Sequence, residues 1–163
     1  FPTHETPEHT AEYEGFYHLL HIEGNVEHAS LSFIIRDHDS ARFEERKAFV
    51  EKAVAWVNAK YGEGVATATI TEQYRNMRQQ VEPMPHIIDI VLDAMREIDI
   101  EPKVRAIRGG TDGAQLSFMG LPCPNIFAGG LNFHGPHEFL PIPSLEKASR
   151  LVVKIIEMTA RGI

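Results

Sequence analysis

The spacing of apolar residues changes once along the chain, at the segment Glu82-Pro83-Met84-Pro85. Before this segment, short stretches of alternating apolar and polar residues indicate half-buried strands next to a helix. After it, apolar residues recur at helical spacing, and helices alternate with short apolar stretches, as in a parallel α/β sheet. The sequence therefore predicts an α/β protein in two parts, an incomplete α+β sandwich over 1–82 and an α/β segment over 83–163.

Three strands and one helix are predicted in the first part. The strands are expected at residues 13–23, 29–36 and 66–71. A turn at Gly24 joins the first two strands into a hairpin, because glycine tolerates the backbone angles of tight turns. Asp39 or Ser40 is placed to cap the helix, which Gly62 ends.

Helices and short strands alternate in the second part. One helix follows Pro85, another runs from Thr111 to Gly120, and a third begins after a Ser144 cap. Between them, short apolar stretches predict strands at residues 104–107 and 125–127.

The amino-acid composition indicates which kinds of binding partner and which cellular compartment are expected for this protein. A net charge of −7, without a cluster of Lys and Arg, disfavours nucleic-acid binding. The single cysteine, Cys123, excludes a disulfide framework within the chain and favours the cytoplasm. No apolar run reaches the length of a membrane-spanning helix, so no membrane partner is expected. Because the chain begins at Phe1 in a polar stretch without Met, it is expected to be a piece of a longer protein.

His134 is the histidine best placed to bind a metal ion. It follows a short predicted strand and the pair Gly129-Gly130, and open α/β sheets bind ligands beyond the carboxyl ends of their strands. Glu138 could then fix the tautomer of its ring. His137 need not point the same way, because Gly135 and Pro136 interrupt a helical turn. The alternative is a loop histidine that is hydrogen-bonded to Glu138.

Three further residues stand at a glycine turn, in the stretch IRGGTDGAQ at 107–115. Gly110 lets the backbone approach a ligand, Thr111 stands at a helix start, and Arg108 adds a positive charge. A carboxylate or phosphate would suit this turn, and a purely structural turn is the alternative.

Arg36 lies at the end of the second predicted strand. From the residues alone, the better interpretation is a surface arginine paired with Asp37 or Asp39. The sequence contains no convincing nucleophile dyad and no paired-carboxylate site.

Four stretches together resemble the C-terminal part of the tripeptide aminopeptidases in the M20 family of dizinc peptidases. In chain order they are TPEHTAEYEGFYHL, FIIRDHD, IRGGTDGAQLSFMGLPCPN and NFHGPHEF. The resemblance covers essentially this whole chain, but only a C-terminal portion of the family's length. It implies that residues 1–82 are most of a lid that forms homodimers, and that 83–163 close the catalytic domain.

The resemblance also implies roles for individual residues. His134 would be a Zn²⁺ ligand with Glu138 behind it, whereas His137 would not bind metal. Arg36 would reach the carboxylate end of the substrate in the partner subunit, and Arg108, Gly110 and Thr111 would line the substrate cleft. The catalytic residues and the other ligands of the two zinc ions would lie upstream, so the chain alone is expected to be inactive.

The implied parent protein is a cytoplasmic, homodimeric enzyme that removes the N-terminal residue from tripeptides by a zinc-activated water. One alternative is another M20 hydrolase, such as a carboxypeptidase or a deacylase. The other is a fragment that acts only as a dimerisation module, without catalysis.

Overall fold

A computed structural model describes residues 1–162, which carry both α and β structure, as predicted. In chain order the elements are β1 (Phe16–Gly24), β2 (Ala29–Arg36), α1 (Ser40–Tyr61), α2 (Arg78–Val81), α3 (His86–Glu97), α4 (Asp112–Phe118) and α5 (Ile142–Ala160). They belong to two compact units. The first contains residues 1–76 and 105–112, and the second contains 77–104 and the chain from Gly113 onward.

The predicted hairpin is confirmed. β1 and β2 pair antiparallel from Phe16 opposite Arg36 to Gly24 opposite Ala29, with an irregularity between Leu19 and His21. The Asn25 side chain closes the turn, because its Oδ1 accepts hydrogen bonds from the backbone N–H groups of Glu27 (2.8 Å) and His28 (3.0 Å). An asparagine therefore stabilises the turn of the hairpin. Arg36 lies at the opposite end of the hairpin, where β2 ends.

The caps of α1 explain its length. Asp39 lies in extended backbone, and its carboxylate accepts a hydrogen bond from the N–H of Arg42 at 2.9 Å. Gly62, with φ of 115°, stops the helix after Tyr61. α5 was predicted less accurately, because it begins at Ile142 after Pro141 and not after Ser144.

The three other predicted strands are wrong. Residues 66–71, 104–107 and 125–127 form no strand, and the part of the chain that is described contains no parallel sheet. A strand exists only where a neighbouring backbone completes its hydrogen bonds, and in two of these segments a backbone group bonds to a side chain instead. The amide of Asn58 bonds to both backbone groups of Ala66, at 2.8 and 2.9 Å, and the Ile107 carbonyl lies 3.0 Å from His38 Nε2.

The core of the second unit joins α3 to α5. Ala94 and Leu151 have no exposed surface, and Met158 is 3% exposed. Buried Ser117, on α4, donates a hydrogen bond to the carbonyl of Gly113 (2.6 Å) and accepts one from the N–H of Cys123 (2.9 Å).

Among the residues described, no helix combines the length and the apolar character needed to cross a bilayer.

Candidate functional site

Arg36 occupies a half-buried position in the first unit. Its Nη1 donates to the carbonyl of Ile35 at 3.1 Å, and its Nη2 lies 3.5 Å from Oε1 of Gln73. Its Cζ lies 5.6 Å from the centre of the Tyr74 ring. Burial lowers the pKa of the Arg36 guanidinium from its ordinary value, and the nearby Tyr74 opposes this shift. The group still remains charged, because arginine does not lose its proton near neutral pH.

The two aspartates that follow Arg36 are engaged elsewhere. Oδ2 of Asp37 accepts from Nε of Arg46 at 2.8 Å, and Asp39 caps α1. Within residues 1–162, no carboxylate forms an ion pair with Arg36. The interpretation of Arg36 as a surface residue paired with Asp37 or Asp39 is therefore wrong.

A second arginine, Arg75, lines a small cavity beside Arg36, and its charge is neutralised by an ion pair with Glu72. Arg36, Phe43, Tyr74 and Arg75 are among its lining residues. Arg75 binds the carboxylate of Glu72 through two hydrogen bonds, of 2.6 and 2.8 Å. Hydrogen bonds from Arg75 and then from Lys47 lower the pKa of Glu72 to about 2. Of the two arginines that line this cavity, Arg36 is the one that forms no ion pair within residues 1–162.

Arg108 holds the N-terminal segment of the same unit. Its Nη1 donates to the carbonyls of Pro7 (3.2 Å) and Thr10 (2.8 Å), and its Nη2 donates to the hydroxyl of Thr10. The guanidinium carbon lies 4.7 Å from the centre of the Phe16 ring, and Nε is buried without a partner. Most donors of Arg108 therefore serve the scaffold, and substrate binding by this residue stays a prediction.

Gly110 and Thr111 belong to the same turn but have different surroundings. A Cβ added to Gly110 would lie 2.0 Å from Cδ2 of Tyr74, so the ring packs directly on the glycine backbone. Thr111 is half-buried and precedes α4, whose first residue is the acidic Asp112. A carboxylate at this helix start disfavours a second anion there. Binding of substrate by Thr111 stays a prediction.

Tyr74 is the residue of this region that the sequence did not reveal. It contacts Arg36, which lies 38 positions earlier in the sequence, and Gly110, which lies 36 positions later. It lies outside every helix and strand, so no periodicity singles it out.

His134 lies at the tip of a closed loop in the second unit. Leu131 and Phe139 exchange backbone hydrogen bonds of 2.9 and 3.2 Å and close the loop. His134 has φ of 64°, a left-handed conformation that only a few per cent of non-glycine residues adopt. Oε2 of Glu138 accepts a hydrogen bond from its backbone N–H at 2.8 Å. Glu138 thus fixes the backbone of His134, and its predicted role behind the ring stays a prediction.

His137 contributes to the same loop through its backbone. Its carbonyl accepts a hydrogen bond from Nδ2 of Asn132 at 3.2 Å. The imidazoles of His134 and His137 belong to exposed residues. Throughout residues 1–162, no three His, Cys, Asp or Glu side chains gather where they could hold a metal ion. Because zinc sites take three or four protein ligands, His134 and His137 do not form a zinc centre by themselves.

The sequence model of peptidase family M20/M25/M40 matches residues 8–158. The chain belongs to this family. Among similar curated proteins, Peptidase T of Parabacteroides distasonis is 56% identical over 160 residues, which are 98% of this chain and 39% of that protein. Peptidase T of Bacillus licheniformis is 54% identical over 157 residues, which are 96% of this chain and 38% of that protein. This M20/M25/M40 chain thus spans about two-fifths of the length of these relatives.

Two solved structures share the fold of this M20/M25/M40 chain. Aminopeptidase PepT from Bacillus cereus matches 94% of the chain and 41% of its own length, with a TM-score of 0.62 and 19% identity. A tripeptidase from Staphylococcus aureus matches 96% of the chain and 42% of its own length, with a TM-score of 0.65 and 17% identity. The resemblance to M20 peptidases that the four sequence stretches indicate is confirmed.

Proposed function

We propose that this chain is part of a tripeptide aminopeptidase and that Arg36 binds the C-terminal carboxylate of the substrate. The observation that carries the proposal is the charged, half-buried guanidinium of Arg36, which has no carboxylate partner within residues 1–162. The names of the relatives, Peptidase T, support the same reaction class. A guanidinium matches a carboxylate geometrically, because two parallel N–H groups meet two oxygens.

The remaining site residues keep the roles that the family resemblance implies. His134 would supply one ligand to one of two zinc ions, and the other ligands would come from outside this chain. Bound zinc supplies a Lewis acid and lowers the pKa of a bound water. Arg108, Gly110 and Thr111 would line the cleft. In the same proposal, 1–82 are lid, 83–163 are catalytic domain, and the enzyme is cytoplasmic.

The proposal is tested by comparing tripeptides with the corresponding tripeptide amides in the full-length gene product. Replacing Arg36 with methionine is expected to raise KM for the free-acid tripeptides roughly 10- to 100-fold, the range for losing a hydrogen bond between charged groups. KM for the amides, which lack the carboxylate, should change little. Arg42→Met is the control, because Arg42 is exposed on α1. Absence of tripeptide turnover, or an equal change for acids and amides, contradicts the proposal.

Homodimer formation through the hairpin is part of the same proposal. The apolar side chains Leu19, Leu20, Ile22 and Leu31 on β1 and β2 are 42%, 53%, 62% and 51% exposed. Within residues 1–162 the sheet has two strands. Beyond Tyr17, whose N–H already donates to the carbonyl of Glu5, the outer edges of these strands can accept a strand from another chain. Together these features favour an interface between two copies.

Sedimentation of the 163-residue chain tests the dimer. We expect the wild-type chain to dimerise, and Ile22→Lys to shift the equilibrium to monomer, because a charge would be buried at the interface. Val65→Lys is the matched control, since Val65 is 61% exposed in the same unit but lies outside the hairpin. A wild-type chain that stays monomeric at every concentration contradicts this part of the proposal.

A further inference from the structure

The ring of Tyr74 contacts two residues that the proposed function uses. Its centre lies 5.6 Å from the guanidinium carbon of Arg36, and the backbone of Gly110 lies against the ring. All three residues belong to the first unit. We propose that Tyr74 is a positioning residue, which holds the Arg36 guanidinium in the place where it binds a peptide carboxylate. This inference rests on the carboxylate-binding role proposed for Arg36.

The polar contacts of Arg36 are too few to fix its side chain. One joins Nη1 to the carbonyl of the preceding residue, Ile35, and the other is the 3.5 Å contact with Gln73, which is long for a hydrogen bond. A guanidinium within about 6 Å of an aromatic centre is attracted to the ring electrostatically. The Tyr74 ring therefore restrains a long side chain that its hydrogen bonds leave free to move.

Packing on the glycine backbone fixes the ring in turn. A Cβ added to Gly110 would lie 2.0, 2.3 and 2.5 Å from Cδ2, Cγ and Cε2 of Tyr74. Real Cβ atoms do not approach other atoms so closely, so any larger residue at position 110 has to displace the ring. The neighbouring Gly109 differs, because an added Cβ there would meet nothing within 4 Å.

The ring restrains Arg36 without neutralising it. An aromatic face attracts a cation but carries no formal charge, so the arginine keeps its attraction for an anion. The acids nearby are already paired, Asp37 with Arg46 and Glu72 with Arg75 and Lys47. A carboxylate in place of Tyr74 would hold Arg36 equally well but would compete with the peptide. An aromatic residue at position 74 avoids this competition.

A spectroscopic test needs no enzymatic activity. In the 163-residue chain, the Arg36 Nε–H resonance, assigned by its loss in Arg36→Lys, reports contact with the ring. Tyr74→Leu is expected to move this resonance towards the range of freely exposed arginines, and Tyr74→Phe, which keeps the ring, to leave it in place. Gly110→Ala should move it, and Gly109→Ala should not. An unchanged resonance in folded Tyr74→Leu overturns the inference.

Kinetics in the full-length gene product tests the consequence for binding. Tyr74→Leu is expected to raise KM for free-acid tripeptides roughly 3- to 30-fold, the range for losing one cation–π contact. We expect little change in kcat or in KM for the amides, and near wild-type behaviour from Tyr74→Phe. In the Arg36→Met background, Tyr74→Leu should add nothing.

The two failures can be told apart. If Tyr74→Leu raises KM equally for acids and amides while Arg36→Met still discriminates between them, the positioning role is wrong and the proposed function stands. If Arg36→Met does not discriminate, the proposed function is wrong. In that case the resonance of Arg36 in Tyr74→Leu and Tyr74→Phe still decides whether Tyr74 positions the guanidinium.

Discussion

Replacing Arg46 with methionine is expected to lower the free energy of unfolding of the first unit by about 3–5 kcal/mol, as for other buried ion pairs that lose one partner. The Asp37 side chain is only 2% exposed, and Arg46 is its ion-pair partner. Arg46 also binds Glu5, and its Cζ lies 5.1 Å from the centre of the Tyr17 ring. Methionine would keep the apolar contacts but leave a buried carboxylate without a counter-charge.

Amide hydrogen exchange of β1, β2 and α1 measures this loss, because it reports the first unit without the second. Arg42→Met makes the same chemical change on the same helix at an exposed position and should alter stability by less than about 0.5 kcal/mol. Equal exchange in the two variants would show that Arg46 does not stabilise Asp37. We also expect Arg46→Met to weaken the preference for free-acid tripeptides, because an unpaired Asp37 would attract the adjacent Arg36.

Replacing Leu151 with alanine is expected to destabilise the second unit by about 2–5 kcal/mol. Leu151 has no exposed surface and packs with Ala94 and Met158 where α3 meets α5. Alanine would lose the buried methyl groups and leave a cavity between the two helices. The expected loss is a large part of the stability of an ordinary domain.

Leu145→Ala is the matched control for this variant. Leu145 lies on the same helix but is 48% exposed, so the same substitution removes little buried surface and should cost below about 1 kcal/mol. Amide exchange of α3 and α5 measures both variants. Similar losses for the two leucines would mean that the contact between α3 and α5 does not dominate the stability of this unit.

Features that depend on nearby residues were predictable from the sequence. The hairpin follows from the turn at Gly24 and from the alternation over residues 29–36, and the start of α1 follows from the carboxylate of Asp39. Residues 66–71 show equally clear alternation but form no strand. An alternating pattern of apolar and polar residues indicates which face of a strand would be apolar. It does not indicate whether a neighbouring strand is present to complete the hydrogen bonds.

In the candidate site too, features set by neighbouring residues in the sequence were predictable, and features set by other parts of the fold were not. The position of His134 in a glycine-flanked loop was readable, because Gly and Pro mark turns locally. The absence of an ion pair between Arg36 and Asp37 was not predictable, since it depends on the ion pair that Asp37 forms with Arg46 on the following helix. Nor does any local pattern reveal that Glu138 accepts its hydrogen bond from the backbone N–H of His134.

The discontinuous first unit has a practical consequence for dissecting this protein. Residues 105–112 return to a unit whose other residues end at 76. A truncation before 105 would take Arg108 away from the carbonyls of Pro7 and Thr10, and Gly110 away from the ring of Tyr74. A single cut therefore cannot yield an intact first unit. A designed linker that joins residue 76 to residue 105 would keep these contacts in one small polypeptide.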